Sequence, residues 1–158
     1  MKTLVNVLVA TLLMTSCSNG LTENTPEKDS DKQILRNQNV YESTMLELQQ
    51  NDIQSDAFSL HEVTIANQVL KIKVSYSGGC AEHSFQIIWP EVITMIYPPD
   101  FGVVLMHDSN GDACEAYFTE TLVFELDSNQ LALSEQAINE MRITVINGSN
   151  PDESVSNR

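Results

Sequence analysis

Basic side chains are scarce. The chain of 158 residues has 8 Lys and Arg against 22 Asp and Glu, a formal net charge of −14. That balance argues against a sequence-independent grip on nucleic acid, which needs clustered cations. Long apolar runs are also missing. None reaches the roughly 18 residues of a membrane-spanning helix. There is no G-x-S-x-G, no phosphate-cradling glycine loop and no H-E-x-x-H, so the usual local signatures of hydrolases, nucleotide binders and zinc proteases are absent. Carboxylates are so abundant that no pair of them is diagnostic. No internal repeat is visible. Cysteine is limited to three residues, an odd number that needs explaining.

What is present begins with an address. Lys2 precedes a run from Leu4 to Met14 that is apolar except for Asn6 and Thr11. This is the layout of a secretory signal. Leu13-Met14-Thr15-Ser16-Cys17 resembles a bacterial lipobox, in which a small residue precedes a cysteine that is lipidated and becomes the new N-terminus. Residues 1–16 then read as a lipoprotein signal peptide and Cys17 as the lipidation site. Two or more acyl chains anchor firmly without spanning. The expected location is the bacterial cell envelope, with the membrane reached through the lipid. An ordinary signal peptide with an incidental cysteine is the other reading. Losing residues 1–16 removes Lys2 and no acid, so the exported chain is more acidic still.

Residues 17–33 are polar and acidic apart from Leu21. They cannot bury enough surface to offset ordering entropy, and they read as a flexible tether. Residues 34–56 read as helix or linker, with a helix or part-helix around Glu42–Gln50.

From Ala57 the period becomes two. Leu70, Ile72, Val74 and Tyr76 alternate with Lys71, Lys73 and Ser75. Phe85, Ile87 and Trp89 form a second set. Ala116, Phe118, Leu122, Phe124 and Leu126 form a third, interrupted by Glu120. These predict half-buried antiparallel strands. Val92–Tyr97 is a short apolar run closed by Pro98-Pro99. Ser134 is placed to cap a helical turn running to Met141. Arg142–Ile146 reads as a final strand, with Ile143 and Val145 inward. About seven short strands predict an all-β domain over residues 57–147, an immunoglobulin-like antiparallel β-sandwich. Residues 148–158 read as a disordered tail.

Two segments carry unusual chemistry: Ser77-Gly78-Gly79-Cys80-Ala81-Glu82-His83-Ser84-Phe85 and His107-Asp108-Ser109-Asn110-Gly111-Asp112-Ala113-Cys114. Asn110-Gly111 is a strong two-residue hairpin signal. Centring the hairpin there pairs His107 with Cys114, Leu105 with Ala116 and Val103 with Phe118, all on one apolar face. If Cys80 bonds Cys114, His83 joins His107. Two readings stay open. A Cys80–Cys114 disulfide suits an oxidising compartment and closes a loop worth about 3–4 kcal/mol. Alternatively, Cys80, His83, His107 and Cys114 ligate zinc or a similar soft metal, or His83 and His107 do so beside an intact disulfide. Asp108-x-Asn110-x-Asp112 resembles the start of a calcium loop, but Ala113 occupies the sixth place, and an Asp- and Asn-rich turn is the simpler reading. His61 reads as an exposed polar residue. Trp89-Pro90 and Tyr97-Pro98-Pro99-Asp100-Phe101 read as core or strand-ending positions, or else as an exposed contact loop.

Taken together, G-G-C-x-x-H-x-F and H-D-x-x-G-D-x-C are similar to motifs of a group of small, uncharacterised exported lipoproteins of Bacteroidetes-type bacteria. The likeness covers roughly Val69–Leu126. It implies an exported β-domain with paired cysteines and histidines, and it implies no activity. The expectation is therefore a non-enzymatic envelope binding module, without a cofactor, whose partner is an envelope protein or ligand. A zinc-binding lipoprotein is the alternative, and a hydrolase with its acid/base pair among the carboxylates is the third. The acidic charge predicts affinity for cations and basic partners and repulsion from anionic glycans.

Overall fold

The computed structural model describes residues 32–52, 54–92 and 96–158. Cys17, the signal segment and most of the tether lie outside the described residues, as does the middle of the Val92–Tyr97 run. Among the described residues, eight strands and three helices follow in the order β1 (Lys32–Arg36), α1 (Gln38–Gln50), β2 (Phe58–Ala66), β3 (Val69–Gly78), β4 (Ser84–Trp89), β5 (Asp100–Asp108), β6 (Ala116–Glu125), α2 (Ser128–Leu131), α3 (Glu135–Glu140), β7 (Arg142–Asn147) and β8 (Asn150–Ser156).

The domain is mostly β, in two sheets. One has the order β1-β4-β5-β7-β8 and the other β2-β3-β6. Most of each predicted apolar set lies between them, but Ala116 and Phe118 of the third set are exposed. Leu70, Ile72 and Val74 of β3, with Leu122 and Phe124 of β6, meet Phe85, Ile87 and Trp89 of β4, Val103 and Leu105 of β5, and Ile143 and Val145 of β7 in a single buried cluster. Each such side chain contributes about 1.5–3 kcal/mol of transfer free energy.

The antiparallel expectation needs correcting. β1 runs parallel to β4, with Lys32 facing Phe85, and β5 runs parallel to β7, with Phe101 facing Ile143. The remaining pairings are antiparallel.

The segment before residue 57 is also more ordered than a helix or linker. Lys32 and Gln33, placed in the tether by sequence, begin β1. The helix starts four residues earlier than expected because Asn37, in an extended conformation, accepts a hydrogen bond from the Val40 N–H at 3.1 Å. It stops at Asn51, which is left-handed. Val40, Met45 and Leu48 face Ile88, Val104 and Ile146 on the outer side of the five-stranded sheet. This third layer explains why Ile88 and Val104 break the alternation: both faces of β4 and β5 are covered.

The disordered tail is contradicted. Asn150–Ser156 is β8, paired with β7 so that Val155 faces Val145. Its Pro151 is tolerated because β8 is an edge strand. The helical turn at Ser134 forms as expected: its side chain caps α3 through the Ala137 N–H, and the chain returns to extended geometry at Met141. The two aromatic loops divide. Trp89 and Phe101 are buried with their rings in tilted contact, 5.4 Å between centroids. Tyr97 is exposed and bonds Glu140.

Candidate functional site

The two unusual segments meet at one end of the sandwich, where β3 and β5 finish and β4 and β6 start. Asn110 and Gly111 both take positive φ, and the Asp112 N–H donates to the Ser109 carbonyl at 3.0 Å. The predicted turn is therefore there. The predicted hairpin is not. β5 lies in one sheet and β6 in the other, so His107 faces Phe85 rather than Cys114. Ala116 faces Gly78, and Phe118 faces Tyr76. Phe118 is 41% exposed rather than buried with Val103. The turn chemistry was sufficient for a reversal but not for a ladder, because Asp112 has other partners.

Those partners define the site. Asp112 Oδ2 accepts the backbone N–H groups of Gly79, Cys80 and Ala81 at 2.7, 2.8 and 2.9 Å. Its Oδ1 accepts the Cys114 N–H at 2.8 Å. Successive amides converging on one oxygen form an anion nest. The curl requires glycine. A Cβ on Gly78 would lie 2.5 Å from His83 Cε1, and one on Gly79 would lie 3.0 Å from the Phe118 ring. These bonds, led by the Ala81 N–H, hold the Asp112 carboxyl far below the usual aspartate range.

Cys80 and Cys114 are joined in a disulfide with a Cα–Cα distance of 5.9 Å. This corrects the four-ligand metal reading, since neither sulfur remains as a thiolate. The two sulfurs and an Asp112 oxygen lie within 4.8 Å of one another, but the sulfurs are bonded together and the carboxylate is filled by amides.

His83 and His107 do come together, both buried. Their rings are 5.0 Å apart, and His83 Nδ1 lies 2.8 Å from His107 Nε2. The nitrogens that would face a shared metal therefore bond each other. On the outer sides, His83 Nε2 is 3.2 Å from Asp112 Oδ2, and His107 Nδ1 is 3.2 Å from the Asp56 carbonyl oxygen. Phe85 stacks on His107 at 4.5 Å and 11°. Tyr76 lies 4.7 Å from His83, and its hydroxyl donates to Glu120 at 2.7 Å. Burial is the main cause that pushes the His107 imidazole below its ordinary pKa. Burial and the Glu120 bond raise that of Tyr76. Asp56 is held low chiefly by Ser109, whose N–H reaches it at 2.7 Å.

Sequence reasoning missed Asp112, Asp56 and Tyr76 as members of this cluster. One signal was available for Asp112: a Gly-Gly bend presenting consecutive amides needs an acceptor. Asp108 is a turn residue, accepting the Asn110 N–H at 2.7 Å. The third histidine, His61, is exposed at a bulge in β2, with its Nε2 2.7 Å from Ser75 Oγ. Ser75 Oγ also meets Thr119 Oγ1 at 2.7 Å and is buried beneath the sheet surface, so this His–Ser contact presents no accessible nucleophile.

No protein-family model matches the chain, and no curated protein matches its sequence. Several solved structures are similar in shape. A DUF1344 protein of unknown function from Bacteroides vulgatus aligns with 13% identity and a TM-score of 0.47. A NigD-like immunity protein from Bacteroides caccae gives 14% and 0.45. A putative toxin-related protein from Parabacteroides distasonis gives 15% and 0.46. Each alignment covers 79% of this chain but only 53–57% of the other, so the chain spans a little over half the length of these neighbours.

Proposed function

We propose that this chain is a lipid-anchored envelope protein whose β-sandwich, immunoglobulin-like in its two-sheet build, serves as a non-catalytic binding module. It resembles in this the exported lipoproteins of Bacteroidetes-type bacteria. The observation that carries the reading is the Cys80–Cys114 disulfide. It uses both cysteines left once Cys17 is set aside for acylation, and disulfides persist in exported compartments. Exposed Tyr117 and Phe118 at the start of β6 lie beside the disulfide loop and supply aromatic surface of the kind enriched at interfaces.

Metabolic labelling with a palmitate analogue tests the anchor. The wild-type chain takes up label and fractionates with membranes, and Cys17→Ser loses both. Membrane retention of an unlabelled Cys17→Ser chain would overturn the lipid anchor. Thiol titration of the unreduced protein tests the staple. It should find no free thiol at Cys80 or Cys114, and two free thiols with bound zinc would replace the binding module with the metal reading.

A further inference from the structure

The histidine pair sits in a chain of three contacts, each of which needs one proton. Asp112 Oδ2 and the Asp56 carbonyl oxygen are acceptors only, so His83 Nε2 and His107 Nδ1 must both carry hydrogen to bond them. The central contact, 2.8 Å between His83 Nδ1 and His107 Nε2, needs one more. Two neutral imidazoles bring two protons. The complete chain takes three.

We propose that His83 and His107 together hold one proton beyond the two of neutral imidazoles, and that this proton latches the disulfide loop Gly78–Ala81 onto the end of the sandwich. Burial disfavours charge on His107, and the carboxylates around the pair oppose that effect. Asp112 faces the pair from the turn after β5, Asp108 from the end of β5 and Asp56 from the segment before β2. Glu120 of β6 reaches the pair through the Tyr76 hydroxyl. The Tyr76 and Phe85 rings of β3 and β4 pack on the imidazoles. The same Asp112 oxygen binds His83 and the Gly79, Cys80 and Ala81 amides. Charge on the histidine pair and order in the loop are thus tied to one atom.

The latch has a window. As pH rises and the pair loses its third proton, one of the three contacts has no hydrogen and two lone pairs face each other. As pH falls and a fourth proton arrives, the central contact becomes two N–H groups pointing together. Stability and loop protection therefore fall on both sides, and the steps belong to the pair rather than to either ring.

Imidazole nitrogen NMR of the protein between about pH 4 and pH 10 counts the protons directly. The expected result is a plateau at which three of the four pair nitrogens are protonated. At its alkaline end, hydrogen-exchange protection of the Gly79–Ala81 amides should fall about tenfold, in step with the lost proton. Asp112→Asn should move that end to lower pH by about one unit, a tenfold loss of proton affinity. His83→Gln keeps donor and acceptor capacity without a charge and should flatten the exchange profile across the same range. Two neutral rings throughout the neutral range would overturn the proposal. So would amide protection that ignores the titration in the wild type, whether or not the variants fold.

Discussion

The interior between the two sheets and its continuation at the disulfide end are built on opposite principles. In the first, the side chains of Trp89, Leu105, Ile72 and their neighbours pack together in one buried apolar cluster. Any one of them can change for another of similar volume at modest cost. In the second, Asp112, His83 and His107 are buried and satisfied through one another. A buried polar network is stabilising only when complete. The apolar interior tolerates conservative change and resists loss of volume. The polar end tolerates loss of volume poorly as well, and in addition depends on every donor and acceptor.

The largest effect should come from the apolar side. Trp89→Ala leaves a void in the buried cluster and should cost about 3–5 kcal/mol in denaturant unfolding. Reducing Cys80–Cys114 comes next. Its partners are 34 residues apart, so chain entropy assigns about 3–4 kcal/mol to the bond. A midpoint unchanged by reduction would show that Asp112 alone holds the loop. Asp112→Asn separates the two regions by shape rather than size. The Asp112 carboxyl titrates below its unfolded value, so its stabilisation is present above the ordinary aspartate range and is lost as pH falls through the lowered folded value. The melting temperature of the wild type should therefore drop in acid along a slope that is shallower in the variant. Trp89→Ala should keep the wild-type slope. The smallest effect should be Asn37→Ala, which removes the α1 cap while leaving its backbone bond to Trp89, for about 1 kcal/mol.

The same contrast explains what the sequence made legible. Period-two alternation found β3 and the later half of β6 because those strands have one wet face and one dry face, and it found β4 only through the polar Ser84 and Gln86 at its start. Ser134 and Arg142–Ile146 were readable from local chemistry alone. The covered side of the five-stranded sheet was not readable, since Ile87 and Ile88, or Val103 and Val104, look alike when both faces are dry. β8 hid because Asn150–Ser156 is polar and relies on β7 for its pairing. At the polar end, the residue types of His83, His107, Cys80 and Cys114 were readable and their proximity was inferred. The route to it was different. The histidines meet across the β4–β5 pairing, and Asp112 bends the chain into the other sheet. A two-residue turn signal encodes a reversal only, and long-range acceptors decide where the chain goes next.

The parallel pairing of β1 with β4 has a consequence in time. β1 emerges from synthesis before any other strand of the sandwich, yet its neighbour is complete only when Trp89 has followed. Likewise β5 cannot gain its second neighbour until β7 exists. Such non-local contacts place loop closure before reward, which slows folding. A chain threaded outward from its N-terminus would thus keep the apolar side chains Ile34 and Leu35 unpaired through much of its passage. Completion of the five-stranded sheet waits for β7 and β8.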